Sequence, residues 1–249
     1  MKSFRYLVRR ALQNIGIEVH RFVPSSSPAA QMAAILEKAR IDLVLDVGAN
    51  EGQFSREIRS TGYAGRIVSF EPLGQAYAKL QRNSRDDPFW HLHPRCALGS
   101  YDGEIKINIA GNSLSSSALP MLDAHRAVAP ESAYVGAELV SLYKLDTVAA
   151  TYLADATNVF LKIDTQGYEA QVLDGAEETL QHVTCVMLEL SLVQLYEGQP
   201  SWPDMVNRLL AAGFHLWAVQ QVLIDPETGR TLQIDGVFLR KKSNSGDQA

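Results

Sequence analysis

Positive charge, cysteine and long apolar runs are all scarce in this sequence, and each scarcity removes a class of function. The 249 residues carry 23 Lys and Arg against 28 Asp and Glu, a formal net charge of -5. No excess positive charge is available to follow a phosphate backbone, which counts against broad nucleic-acid binding. Cysteine occurs only as Cys96 and Cys185, each inside an apolar run. Both read as buried thiols, not as a disulfide framework or a zinc site, and a reducing cytoplasm fits them. No stretch approaches the ~20 consecutive apolar residues that span a bilayer. Lys2, Arg5, Arg9 and Arg10 suggest a signal peptide at first sight. Charges interrupt that segment repeatedly and no apolar stretch of about 7–15 residues follows, so it reads as uncleaved.

What is present is an ordinary globular composition, 46% hydrophobic and 20% charged, in a chain long enough to bury a sizeable core. Residues 1–22 form a basic amphipathic segment, with Phe4, Leu7, Val8, Leu12 and Ile15 at helical spacing and Arg5, Arg9 and Arg10 elsewhere on the wheel. Two readings stand. The helix packs on the main domain or on a second copy in a homodimer, or it lies on an anionic membrane surface and makes the protein peripheral to it. A linker at 24–28 and a helix at 31–40 complete an N-terminal part spanning 1–40.

From 41 to 240, β and α patterns alternate. Strands are expected at 43–47, 66–70, 91–98, 158–163 and 183–188, and helices at 52–61, 74–83, 168–180 and 202–212. Two closing strands, 214–219 and 234–239, are joined by a turn rich in breakers and have no room for a helix between them. They predict an antiparallel hairpin at one edge of an α/β, mostly parallel, seven-stranded sheet. Region 99–145 breaks the rhythm and reads as an insertion near the active edge, with a strand at 104–109, serines at 113 and 115–117, and a helix around 120–128. The polar tail, 241–249, reads as disordered.

Asp46-Val47-Gly48-Ala49-Asn50-Glu51-Gly52 joins the first strand to the first helix. Ligands of open α/β sheets bind beyond the carboxyl ends of the strands. Gly48 and Gly52 allow a tight turn and close backbone approach. Asp46 is an acid in an otherwise apolar strand, which a cationic ligand group would explain. Glu71 ends the second strand, 23 residues past Gly48, where a carboxylate can accept from both ribose hydroxyls. That placement indicates an adenosine ribose without choosing a cofactor. A dinucleotide loop would read G-x-G-x-x-G, whereas this one lacks the middle glycine and places Glu51 where a pyrophosphate would sit. A nucleoside bearing a sulfonium and no phosphate fits better.

Taken together, Asp46-Val47-Gly48-Ala49-Asn50, Ser69-Phe70-Glu71-Pro72, Ala97-Leu98-Gly99, the run from Leu161 to Glu169, and Asp235-Gly236-Val237-Phe238 resemble the FkbM-type methyltransferases. The resemblance covers about 43–240. It implies a Rossmann-like class I methyltransferase fold with S-adenosylmethionine as methyl donor. It also implies that Asp46, Gly48, Asn50 and Gly52 line the methionine end, that Glu71 holds the ribose, and that Ala97 and Leu98 lie near the adenine. The family typically reads K-I-D-V-E-G where this chain has Lys162-Ile163-Asp164-Thr165-Gln166-Gly167, so an amide replaces a carboxylate at 166.

Methyl transfer is an in-line displacement, so alignment supplies much of the rate, and a hydroxyl acceptor must also lose a proton to a general base or a metal-bound group. Asp164 and Glu189 end neighbouring strands and read as an acid/base pair or the seat of a divalent metal such as Mg2+. Asp164 also reads as a helix N-cap. Asp235 could join them. His125, in the insertion, sits where a lid would meet substrate and titrates in a useful range, although a lone helix histidine is commonly a surface residue. His91 and His93 read as structural. Tyr196 and Trp202 flank Gly198-Gln199-Pro200 and either stack on a sugar or plug the core. N-methylation commonly uses an Asn/Asp-Pro-Pro-aromatic run after the fourth strand, which Asp164-Thr165-Gln166-Gly167 is not. The acceptor is therefore read as a small-molecule or glycan hydroxyl, of a sugar or glycolipid first and of a polyketide or other natural product second. Two other readings are a nicotinamide-dependent sugar-modifying oxidoreductase and a non-catalytic nucleoside-binding protein in which Gln166 marks lost activity.

Overall fold

Apolar runs of five or so residues are too short for helices and become strands buried on both faces. A computed structural model, describing residues 10–17, 19 and 21–241, shows how they assemble. After a helical stretch at 10–13, helix α1 (Pro28–Lys38) is capped by Ser27, which accepts from the Ala30 N–H at 3.3 Å, with Pro28 opening the helix. Then follow β1 (Leu43–Val47), α2 (Gln53–Ser60), β2 (Arg66–Phe70), α3 (Gly74–Ser84), β3 (Trp90–Leu92) and β4 (Ala97–Leu98). The inserted region supplies β5 (Gly103–Ala110), α4 (Asp123–Val128) and β6 (Tyr134–Tyr143). The rest is α5 (Leu145–Leu153), β7 (Val159–Ile163), α6 (Glu169–Asp174), α7 (Glu177–His182), β8 (Val183–Ser191), α8 (Trp202–Ala211), β9 (Phe214–Ile224) and β10 (Thr231–Arg240).

The main sheet has seven strands in the order β3-β2-β1-β7-β8-β10-β9. All neighbours are parallel except β10, which runs antiparallel to both β8 and β9. This is the expected α/β architecture of the Rossmann-like class I methyltransferase fold, closing in an antiparallel hairpin. Strand order reverses between β1 and β7, so the loops after Val47 and Ile163 face each other across the switch point, where such sheets bind ligands. Alternating residues pack the two faces. Leu43, Leu45, Leu161 and Val186 meet α5, α6 and α8 on one side, while Val44, Ile67, Phe160 and Cys185 meet α1, α2 and α3 on the other. Both cysteines are buried free thiols.

Three elements differ from expectation. The strand expected over 91–98 is two strands, because Pro94 lacks an N–H and breaks the ladder. β3 stays in the main sheet, while β4 joins a second sheet of order β4-β6-β5. β6 has no counterpart among the expected strands. Its buried Val140 and Leu142 pack with Leu73, Ala97 and Ile107. The helix expected over 168–180 is also two, α6 and α7. At the break, a Cβ on Gly175 would lie 1.9 Å from the Gly99 carbonyl oxygen, so the chains cross too closely for any side chain.

Phe4, Leu7 and Val8 of the amphipathic N-terminal segment, and tail residues 242–249, lie outside the described residues. Among the described residues no helix is long and apolar enough to cross a membrane.

Candidate active site

The turn after β1 is a chain of positive φ values, +73° at Gly48, +47° at Asn50 and +84° at Gly52. A Cβ on Gly48 would lie 1.8 Å from the Asp164 carbonyl oxygen, so only glycine lets the two loops touch. The tight turn consumes its own donors. Gly48 and Ala49 N–H both bond the Phe70 carbonyl at 3.1 Å, and Gly52 N–H bonds the Ala49 carbonyl at 2.8 Å. Asn50 N–H bonds Glu71 Oε2 at 2.8 Å, and Glu51 N–H bonds Asn50 Oδ1 at 2.8 Å. The five N–H groups of the turn, 48–52, are thus taken up within the chain, with a carboxylate in their midst, and only the uncapped start of α2 is left for a phosphate. Glu51 itself turns away to pair with Lys79 at 2.6 Å, so the committed backbone donors, not this acid, disfavour the dinucleotide.

Glu71 is buried, and its Oε1 accepts from the Leu73 N–H at 2.9 Å. Burial raises its pKa to about 7, against the lowering effect of the two backbone N–H bonds and Lys162. Asp46 is fully buried beneath the turn, and its cation belongs to the chain. Lys162, its register partner on β7, places Nζ 3.2 Å from Asp46 Oδ1 and 3.4 Å from Asp164 Oδ2. Lys162 also donates to the Gly48 carbonyl at 3.0 Å. Burial alone would lower the lysine pKa, but Asp46, Asp164 and Asp235 raise it above its ordinary value. Asp46 therefore supports the turn from below and does not line the cleft.

Beyond β7 the carboxylates are joined by one amide. Gln166, at φ +54°, donates from Nε2 to Asp164 Oδ1 at 2.9 Å and to Glu189 Oε2 at 2.8 Å. Its Oε1 accepts from Tyr196 O–H at 2.7 Å, and its carbonyl accepts from Ser117 O–H at 2.6 Å. Gln233 Nε2 donates a second bond to Glu189 at 3.0 Å. Burial and neighbouring acids hold the Glu189 pKa well above the ordinary carboxylate range. Glu169, buried and raised to about 7 mainly by desolvation, accepts from Thr165 N–H at 2.9 Å and Gly167 N–H at 3.0 Å. Thus Glu169 braces the loop that Asp164 opens, a role the capping reading gives to Asp164.

A cleft of about 730 Å³ runs over this turn. Gly48, Asn50, Glu71, Ala97, Leu98 and Asp164 line it, together with Ser113, Ser116 and Ser117 of the inserted region. Asn50 Nδ2 reaches the Ser113 carbonyl at 3.3 Å and ties that serine loop over the cleft. Gly52 faces away, where a Cβ would lie 2.6 Å from the Trp90 ring. His125 is neither lid nor surface residue. It is 2% exposed, its ring meets Tyr196 edge-on at 5.3 Å, burial lowers its pKa, and it lies outside the cleft. Tyr196 is a buried plug, and Trp202 stands half exposed on α8.

The metal expectation does not fit these donors. Among the described residues no three His, Cys, Asp or Glu side chains are grouped to hold an ion. Between Asp164 and Glu189 lies an N–H donor, which repels a cation. Lys162 and Glu169 are visible in the sequence only as motif letters. A lysine and a glutamate flanking an apolar strand end carry no local sign of burial.

Comparison with known proteins adds an independent line. The family model described as Methyltransferase FkbM domain matches residues 46–216. The hexuronic acid methyltransferase AglP of Haloferax volcanii is 28% identical over 186 residues, covering 74% of this chain and 71% of that protein. The 2-O-methyltransferase NoeI of Sinorhizobium fredii is 25% identical over 212 residues, covering 80% and 86%. A solved FkbM methyltransferase from Methylobacillus flagellatus KT is 15% identical at a TM-score of 0.49. It covers 79% of this chain, which spans only 43% of that one. The matched span runs from Asp46 through the glycine turn, Glu71 and Asp164 and on to β9, and this chain belongs to the FkbM methyltransferase family.

Proposed function

We propose that this chain transfers a methyl group from S-adenosylmethionine to a hydroxyl of a sugar-type acceptor, with Asp164 as general base. The observation that carries the reading is the exposure of Asp164. Asp46, Glu71, Glu169 and Glu189 are each at most 5% exposed, whereas the Asp164 side chain keeps 35% and lines the cleft. The cleft suits the cofactor, since it runs from the glycine turn past Glu71 to apolar residues and the N–H groups of its turn are committed within the chain. Each Glu71 oxygen accepts one backbone bond and keeps a lone pair for a ribose hydroxyl. Leu73, Ala97 and Leu98 offer apolar walls for the base. When bound, the cofactor supplies an electrophilic methyl on a sulfonium. Asp164 takes the proton from the acceptor hydroxyl, and Gln166 and Lys162 hold its carboxylate in place. Support for oxygen as acceptor comes from the relatives, one named for hexuronic acid and one for a 2-O position.

Calorimetry and turnover together test this. S-adenosylhomocysteine should bind and NADH should not, and the reverse result refutes the cofactor. With labelled donor and a panel of glycosides and glycolipids, Asp164→Asn should lose about 100-fold or more in methyl transfer while keeping cofactor affinity. Unchanged turnover in that variant removes Asp164 as base.

A further inference from the structure

A second cavity, also about 730 Å³, opens on the other side of the Gly48–Asp164 contact. It shares Gly48, Asn50, Leu114 and Asp164 with the cleft. A molecule seated there therefore reaches Asp164 from the side away from Glu71 and Leu98. Its remaining wall includes Phe54 and Glu57 of α2, Lys162 of β7, Gln220 of β9 and Asp235 of β10.

The charge of this wall is one-sided. Glu57, Asp164 and Asp235 face a single ammonium, Lys162, which is already held by Asp46, Asp164 and the Gly48 carbonyl. Asp235 differs from the other acids in one respect. Glu71, Glu169 and Glu189 each accept hydrogen bonds from the protein, whereas no described residue donates to Asp235. Burial, with Asp164 and Glu57 nearby, raises its pKa to about 7 against the pull of Lys162. The Asp235 carboxyl is partly exposed to this cavity and accepts from no described side chain or backbone group, so it is open to a donor from a ligand. Gln220 is turned to Gln31 at 2.9 Å, and the half-buried Phe54 ring, stacked on Phe160, adds an apolar edge to the wall.

We infer that this cavity seats the acceptor, and that Asp235 and Glu57 select a neutral or amine-bearing sugar against a uronic acid. The inference rests on the methyltransferase reading above and refines its substrate class. A sugar carboxylate here would lie beside Asp164 and Asp235 with no uncommitted cation to meet it, so like charges repel it. This chain would then differ in acceptor charge from the relative named for hexuronic acid.

The test uses the full chain saturated with S-adenosylhomocysteine and three probes, the methyl glycosides of glucose, glucosamine and glucuronic acid. Binding is read by saturation-transfer NMR titration for the wild type, Asp235→Asn and Glu57→Gln. Glu57 is exposed on α2, so the second variant is insensitive to any folding defect of the first. The glucoside and glucosaminide should bind at least about tenfold tighter than the glucuronide, and both variants should narrow that gap to about threefold or less. Equal or tighter binding of the glucuronide overturns the inference, as does a failure of all three glycosides to bind. A weaker affinity of Asp235→Asn for S-adenosylhomocysteine also overturns it, because the cavity would then hold the cofactor's amino-acid end. Failure of the wild type to bind S-adenosylhomocysteine at all would be a different result, one that removes the cofactor reading itself.

Discussion

The substitution Gln166→Glu restores the family's usual residue at a position where this fold has come to depend on an amide. The two side chains have the same shape, so the left-handed backbone at 166 and the bond from Ser117 to its carbonyl are untouched. What changes is one donor group. The Nε2 bonds to Asp164 at 2.9 Å and Glu189 at 2.8 Å disappear, and a third carboxyl enters hydrogen-bond range of the other two. Near pH 5 the introduced carboxyl, if protonated, can replace one of the two lost bonds. Near pH 8 its ionisation is opposed by both neighbours and it replaces neither. A hydrogen bond to a charged group contributes about 1.5–3 kcal/mol and one to the proton-bound Glu189 about 0.5–1.5 kcal/mol, so the loss should be roughly 2 kcal/mol or more at pH 8 and less at pH 5. For a domain of this size that is roughly 4–8 °C in Tm at pH 8. Thermal unfolding followed by circular dichroism at the two pH values measures it. A variant melting within a degree of wild type at pH 8 would refute the idea that the amide joins the acids.

Gly48→Ala should abolish S-adenosylhomocysteine binding in calorimetry and lower Tm sharply, because the new Cβ would lie 1.8 Å from the Asp164 carbonyl oxygen at a φ of +73°. A soluble variant with wild-type affinity would show that the two loops do not need this contact. Stability should fall as pH rises from about 5 to 8. Burial raises Glu71 and Glu169 from the ordinary 4.5 to about 7, so the fold favours their protonated forms. That stability is complete below 4.5 and lost as pH passes through 7. Each ionised group carries a penalty of roughly 3 kcal/mol at most. Lys162 does not offset this, since its pKa is raised and its contribution is constant over the same interval. Scanning calorimetry across that range checks it, and a Tm that climbs steadily towards pH 8 contradicts the assignment.

Much of this arrangement is legible in short windows of sequence. Leu43-Val44-Leu45 announces a strand buried on both faces, Gly48 and Gly52 announce the turn, and Glu71 closes the second strand beside that turn. Pro94 carries the local sign of a break in the strand expected over 91–98, which the apolar pattern on either side outweighs. Pairings between distant residues are not legible, because periodicity reports which side chains are buried and not what they meet. Asp46 reads as an acid awaiting a cationic ligand until the register of β1 on β7 places Lys162 beside it. Glu51 reads as an anion guarding the turn until α3 brings Lys79 to it. His125 is polar and sits in an irregular stretch, so nothing local tells that its ring packs edge-on against Tyr196.

The same limit explains why Gln166 is hard to read as a letter and easy to read as a structure. Strand reversal between β1 and β7 gathers acids from several strand ends, and ionising all of them in a dry interior would be prohibitive. The chain answers in three ways. Lys162 neutralises Asp46, burial keeps Glu71, Glu169 and Glu189 biased towards the proton-bound form, and the Gln166 amide supplies donors without adding charge. Asp164 is touched by both the lysine and the amide, yet keeps a third of its surface open to the cleft. A carboxylate held on two sides and open on a third is fixed in direction and still free to take a proton, which is what a base for a hydroxyl acceptor requires. By this argument the amide at 166 keeps Asp164 fit for the role proposed for it, and its presence is no mark of an abandoned active site.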